Sequence, residues 1–265
     1  MSGIVLQLCG PMQSWGSSSP WNRRETERHP TRSGLLGMVA AVIGLGRDDP
    51  IIELATLRFT IRIDRPGQLI TDFHTVGGGR PREQTPVLAR LKFRKEGKGT
   101  LVSERYYLSD AVFTVAVTSD GGDILDRIGD KLARPAYAPF LGRRSCPPAG
   151  AFMLGRHEDP ARALFDTIPV ARTAPRQADT VAVDYVTETP PTDGVTSTQE
   201  VRATQPLNTF RSRAFASHTT WRSTHHLPAQ MCGGVGLDYL QRLASIGHDE
   251  TGGEQGTAAE REENR

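Results

Sequence analysis

Cysteine is scarce: Cys9, Cys146 and Cys232 are the only three in 265 residues. Odd in number and far apart, they exclude a disulfide framework and a Cys-x-x-Cys zinc site, so reduced thiols are expected. Long apolar runs are also missing. No stretch approaches the roughly 20 residues a membrane-spanning helix needs, and the N-terminus lacks the basic flank and apolar core of a signal peptide. The expectation is a cytoplasmic protein with no membrane contact. There is no Gly-x-x-x-x-Gly-Lys-Ser/Thr loop and no Gly-x-Ser-x-Gly elbow. Gly233-Gly234-Val235-Gly236 stands too isolated to bind a dinucleotide. No cofactor and no metal are expected.

What is present is glycine and proline, 27 and 18 of them against 37% hydrophobic residues, which implies many turns and long loops around a real core. The formal charge of +2 hides an asymmetry: residues 248–265 carry six acids against two arginines, so the remaining body is at +6. A modestly positive body is compatible with nucleic acid.

The stretch from Leu8 to Asp49 organises the chain. Ile4 to Cys9 reads as a buried strand stopped by Gly10-Pro11. A helix then opens at Pro30-Thr31-Arg32-Ser33-Gly34-Leu35-Leu36-Gly37, capped by Thr31 or Ser33, with Leu35, Met38, Val39 and Val42 at helical spacing. Arg47-Asp48-Asp49-Pro50 is the expected stop. A helix start presents unpaired N–H donors, and Gly34 and Gly37 leave room for a backbone to approach. Arg23, Arg24, Arg28 and Arg32 precede it, an arrangement that suits phosphate. A lone glycine such as Gly37 more commonly serves close helix packing, and arginines in a loop are commonly solvated. Four of them leading into a capped helix tip the reading towards an anion.

Gly10-Pro11-Met12-Gln13-Ser14-Trp15-Gly16, the Pro30 to Gly37 run and Gly44-Leu45-Gly46-Arg47-Asp48-Asp49 together resemble the start of the CasD group, the subtype e form of the fifth CRISPR-associated protein family. Members of that group are subunits of the type I-E Cascade complex. The likeness is close over the first fifth of the chain and loose to about Gly150.

Further along, Leu57, Phe59, Ile61 and Ile63 alternate with Arg58, Thr60 and Arg62, so Ala55 to Asp64 is expected as a half-buried strand with a charged outer face. Between residues 80 and 105 there are eight basic and three acidic side chains, a local charge of +5. With Gly97-Lys98-Gly99 as a turn, this predicts a long exposed hairpin whose partner is polyanionic. The resemblance implies a thumb-like hairpin across guide RNA, placed at about Asp72 to Arg105. Ala111 to Val117 is the strongest strand, and Ile124 to Ala133 reads as a helix ended by Pro135. Gly142-Arg143-Arg144-Ser145-Cys146-Pro147 is a second motif: its arginines can fork onto phosphate oxygens, and the resemblance puts it in an RNA-facing region.

The expected fold class is α+β: a ferredoxin-like (RRM/RAMP-type) βαββαβ domain over 1–150 with an inserted β-hairpin thumb at about 72–105. A smaller C-terminal β-rich region, 151–247, packs on it, with strands at Val181 to Val186 and Val201 to Pro206. An acidic flexible tail, 248–265, follows. The candidate RNA-contacting residues are Gln13, Trp15, Arg24, Arg28, Thr31, Arg32, Ser33, Gly34, Arg80, Arg82, Arg90, Lys92, Arg94, Arg143, Arg144 and Ser145.

The function expected from the resemblance is a non-catalytic subunit that binds crRNA, grips its 5′ handle and caps the backbone filament. Its implied neighbours are the repeated CasC backbone subunits and the large CasA subunit, with target DNA nearby through the complex. The alternative is a metal-independent endoribonuclease that processes CRISPR repeat RNA, for which His74, Lys92, Tyr106 and Tyr107 could supply acid–base groups. No catalytic residue is assigned. His225-His226 lack a metal-like partner at suitable spacing. A protein–protein adaptor whose basic insertion meets acidic partners is the third class.

Overall fold

The computed structural model describes residues 2–17, 22–77, 81–84, 100–121, 123–192, 194–212 and 214–251. Among these, no helix is long and apolar enough to cross a membrane.

The chain opens with β1 (Gly3–Cys9), β2 (Met12–Gln13), β3 (Arg23–Arg24) and α1 (Arg32–Ile43). β4 (Leu57–Arg65), β5 (Gln68–Val76), β6 (Leu101–Ser109) and β7 (Val112–Ser119) follow, then α2 (Ile124–Ala133), β8 (Met153–His157) and α3 (Pro160–Asp166). β9 (Thr180–Thr187), β10 (Ser197–Pro206), β11 (Phe215–Pro228) and α4 (Leu237–Thr251) complete it.

Thr31 is the residue that caps α1: its hydroxyl accepts from the Gly34 N–H. The helix ends earlier than the Arg47 to Pro50 run, at Gly44, whose φ of +86° turns its N–H back onto Ala40 and Ala41. α2 keeps the bounds its spacing predicts.

Two sheets result. The larger has the order β10-β11-β9-β4-β7-β1-β8. Its β4, β7, β1 and β8 pair antiparallel, with α1 linking β1 towards β4 and α2 linking β7 to β8. Alternation along the strands divides the core. Ile4, Leu6, Leu8, Phe59, Ile61, Phe113 and Val115 face α1 and α2, whereas Val5, Ala116, Val183 and Tyr185 face α3.

Two expectations about organisation change here. β8 starts past residue 150 and pairs with β1, so the sheet does not close at that boundary. β9 pairs with β4, so the C-terminal strands lengthen the same sheet rather than forming a layer on top of it. α4 also runs to Thr251, into the segment expected as a flexible tail.

The polar side of β4 is a charged outer face only at its start, where Arg58 is exposed and pairs with Asp120 at 3.3 Å. Arg62 and Asp64 are fully buried. Arg62 donates Nε to Asp64 Oδ1 at 2.7 Å and Nη1 to the carbonyls of Leu164 and Ile168 at 2.5 and 2.6 Å. Its Nη2 reaches Asp64 Oδ2 at 3.1 Å and the Pro169 carbonyl at 2.8 Å. Asp64 in turn accepts from Thr114 Oγ1 and the Ala171 N–H, each at 2.9 Å. The pair is a clamp on the chain that leaves α3, with every donor occupied.

The smaller sheet has the order β2-β6-β3, with β5 also on β6. β5 and β6 pair from Gln68↔Ser109 to Val76↔Leu101, and most of β5 is exposed. The hairpin therefore begins at Gln68, four residues before the expected start of the insertion.

Candidate nucleic-acid interface

The Gly10 to Gly16 segment folds into the centre of the structure. Trp15 is fully buried. Its Nε1 donates to Gln13 Oε1 at 3.1 Å, and Gln13 Nε2 donates to the carbonyls of Leu8 and Ala111 at 2.9 and 2.8 Å. The Trp15 N–H reaches Thr26 Oγ1 at 2.8 Å, and the Trp15 carbonyl accepts from the Glu27 N–H at 2.7 Å. Ser14 ties this segment to two others, donating Oγ to the Tyr106 carbonyl at 3.0 Å and N–H to the Leu141 carbonyl at 3.1 Å.

Glycines allow these segments to meet. A Cβ on Gly34 would lie 2.8 Å from Trp15 Cε3, and one on Gly142 would lie 1.8 Å from the Ser14 carbonyl oxygen. Gly142 also holds φ +81°, which side chains disfavour. A Cβ on Gly37, by contrast, would meet nothing within 4 Å.

The start of α1, expected as an anion site, is packed by the protein's own groups. The indole fills the space beside Gly34, and Thr31 also donates to the Gly16 carbonyl at 3.3 Å. Arg32 is turned inward and buried. Its Nη1 donates to Glu188 Oε2 at 2.7 Å and to the Leu57 carbonyl at 2.8 Å, its Nη2 to the Ala55 carbonyl at 3.0 Å, and its Nε to Gln205. Glu188 also accepts from the Phe59 N–H at 3.0 Å and lies 3.0 Å from His218 Nε2. Gln13, Trp15 and Arg32 hold the frame with their polar atoms used internally. Ser33 is half-buried beside Thr31.

A different set gathers at the root of the β5–β6 hairpin. β3 pairs with β6 through Arg23↔Glu104 and Arg24↔Arg105. The Arg23 guanidinium lies 5.1 Å from the Tyr106 ring centroid, and that of Arg143 lies 4.7 Å from Tyr107. Arg143 Nη2 donates to the Arg24 carbonyl at 2.9 Å, while its Nη1 is buried with no hydrogen-bond partner among the described residues. Arg28 is exposed nearby in sequence. The Gly142 turn thus brings Arg143 to β6, and β3 brings Arg23 and Arg24 to the same strand. Cationic planes on aromatic rings are a stacking and phosphate-binding chemistry.

Of the remaining candidates, Arg144 and Ser145 are exposed on the far side of that turn. Arg80, Arg90, Lys92 and Arg94 lie outside the described residues, and Arg82 starts a short 3-10 turn, Arg82–Gln84. Sequence reasoning grouped Arg23 with the phosphate-suited arginines before α1 but left it and Arg105 out of the RNA-contacting candidates, and it considered Tyr106 and Tyr107 only as acid–base groups of the nuclease alternative. The signal available was Arg105-Tyr106-Tyr107 within a strand, whose partners only the pairing reveals.

The acid–base grouping does not converge. Thr71 pairs with Tyr106 and His74 with Ser103, so strand alternation puts His74 and Tyr106 on opposite faces of the hairpin. His74 Nδ1 lies 3.4 Å from Asp72. Among the described residues no group of three or more His, Cys, Asp or Glu side chains could hold a metal ion. Burial pushes the Cys146 thiol up, out of the range of a reactive thiolate, within the same Gly142 turn. His29, just before α1, has its pKa lowered by burial; it contacts the Pro30 carbonyl at 3.1 Å.

Comparison with known proteins agrees with this architecture. The family model described as CRISPR-associated protein (Cas_Cas5) matches residues 3–221. The CRISPR system Cascade subunit CasD of Escherichia coli strain K12 is 38% identical over 178 residues, 64% of this chain and 78% of the relative. A solved chain of a CRISPR RNA-guided surveillance complex is 40% identical and superposes with a TM-score of 0.80, over 92% of this chain and 98% of its own. A second solved structure, of a Cas protein, shares the fold at a TM-score of 0.59 and 24% identity over 89% of this chain and 99% of its own. With a family model spanning most of its length, the chain belongs to the CRISPR-associated Cas5 family.

Proposed function

We propose that this chain is a non-catalytic, crRNA-binding subunit of a Cascade-type surveillance complex, gripping the 5′ handle of the guide and capping the backbone filament. The observation that carries the reading is the pair of Arg–Tyr stacks on β6, Arg23 on Tyr106 and Arg143 on Tyr107, at the root of an exposed hairpin. The frame is read as ferredoxin-like: its strand order β8-β1-β7-β4 with α1 and α2 on one face is the arrangement of a βαββαβ unit. The β5–β6 hairpin is read as the thumb, and the +5 charge of residues 80–105 makes it a backbone-contacting element. The similarity to CasD implies CasC and CasA as neighbours in a cytoplasmic complex, with target DNA held close by.

In this reading Arg23, Arg24, Arg28 and Arg143 contact phosphate and the hairpin lies across the strand. Gln13, Trp15, Thr31, Arg32 and Gly34 act through the frame that positions them. The test is binding of RNA with the repeat-derived 5′ handle against a scrambled sequence at matched salt. Tighter binding of the handle, weakened as salt rises, is expected. Equal affinities would sink the proposal. Repeat RNA incubated with the protein without metal is expected to stay intact, and one defined cut would favour the nuclease instead.

A further inference from the structure

Gly37 is the motif residue that the RNA face leaves unexplained. It lines an open groove of about 690 Å³ on the outer side of α1. The floor is α1 itself, where Gly37 and Ala41 leave the helix low. One wall is the chain after α2, whose Ala136 and Tyr137 N–H groups donate to the α1 carbonyls of Val42 and Ala41 at 2.9 and 3.1 Å. Tyr137 is 62% exposed there. Phe140 and Phe210 are half-buried in the same lining.

Two exposed guanidinium groups line the groove, Arg47 and Arg144, and neither has a hydrogen-bond or ion-pair partner among the described residues. Their neighbours are already matched: Asp48 pairs with Arg211, and Asp49 accepts from the Gly46 N–H at 2.7 Å. An RNA backbone asks for a cation at successive phosphates. Here a mostly apolar lining, the carbonyl end of α1 and two acids surround just two available cations. A protein segment with an apolar side chain for the floor and carboxylates for the arginines satisfies every exposed group.

Resting on the reading of this chain as a subunit of a larger assembly, we propose that the α1 groove docks a segment of another protein subunit, one that inserts an apolar or aromatic anchor flanked by Asp or Glu. The Gly142 turn then serves two surfaces, with Arg143 turned to β6 and Arg144 to the groove.

The test uses the complete assembly, co-expressed with its guide, carrying a benzophenone amino acid in place of Tyr137. Photocrosslinks are expected to map to one segment of a different protein with an apolar residue and neighbouring carboxylates. Crosslinks only to RNA, to a second copy of this chain, to a segment lacking that chemistry, or to nothing would overturn the proposal. Gly37→Leu fills the groove while raising helix propensity, so its melting temperature should not fall. Retention of the crosslinked subunit should drop about tenfold; unchanged retention counts against the docking site. Handle affinity of the parent chain is measured beside it, so failure of RNA binding is told apart from failure of the groove.

Discussion

Arg62, between Ile61 and Ile63 in a strand, and Arg143, between Gly142 and Arg144 in a turn, end in opposite circumstances. Arg62 is fully buried and commits all its donors to Asp64 and the carbonyls after α3. Arg143 lies on the Tyr107 ring and gives one hydrogen bond to the Arg24 carbonyl, with Nη1 left over. The first is cement, and the second keeps a donor in reserve. An arginine's role here is set by how many carbonyls and carboxylates the fold brings to it, and that count comes from distant segments.

The sharpest way to break the contrast is Arg62→Ala, which strands Asp64 as an unpaired buried charge and is expected to cost about 3–5 kcal/mol. A urea titration measures it. RNA affinity per folded molecule should not change. Gly142→Ala comes next: a left-handed conformation alone costs about 1–3 kcal/mol for a side chain, and the collision with Ser14 adds to it. Thermal unfolding should show the loss, and an unchanged melting temperature would mean that the Ser14, Trp15 and Gly142 contact is dispensable.

Arg143→Gln reverses the pattern. Its stability cost should stay at about 1–2 kcal/mol, since the cation–π contact is to the buried Tyr107 ring, while handle affinity falls about tenfold with a shallower salt dependence. Fluorescence anisotropy across a salt series measures both. The smallest effect concerns His29. Its folded pKa lies below the usual value of about 6.5 because burial disfavours the charged ring. Below that value the unfolded chain binds a proton that the folded chain resists, so its stabilising contribution is present above it and is lost as pH falls. The melting temperature should fall on going from neutral to mildly acidic buffer, and less so in His29→Gln.

Local signals were legible where local physics decides. Thr31 caps α1, and α2 spans Ile124–Ala133, because spacing and stop residues lie within the segments themselves. The alternation of β4 was readable too, but not the destination of its polar side: Arg62 is buried by carbonyls at Leu164, Ile168 and Pro169, about a hundred positions along. β11 escaped notice because its Thr, Ser and His alternation carries little apolar contrast, and pairing with β9 and β10 makes it a strand. The opening motif pointed to the right family, while its Gln13, Trp15 and Arg32 spend their polar atoms inside the fold. The Arg23–Tyr106 stack needed the parallel pairing of β3 with β6, and the Arg143–Tyr107 stack the fold of the Gly142 turn, before they could be seen.

The position of β9 has a consequence for synthesis. It is the strand beside β4 in the large sheet, yet it is made more than a hundred residues later. Until residues 164 to 188 leave the ribosome, Arg62 has no carbonyls to clamp and Arg32 has no Glu188. At ordinary elongation rates of about 5–20 residues per second, that leaves the N-terminal half incomplete for roughly 5–25 seconds. In that interval the flank of β4 stands open, its Arg62–Asp64 pair without the carbonyls that complete it, until β9 arrives to close it.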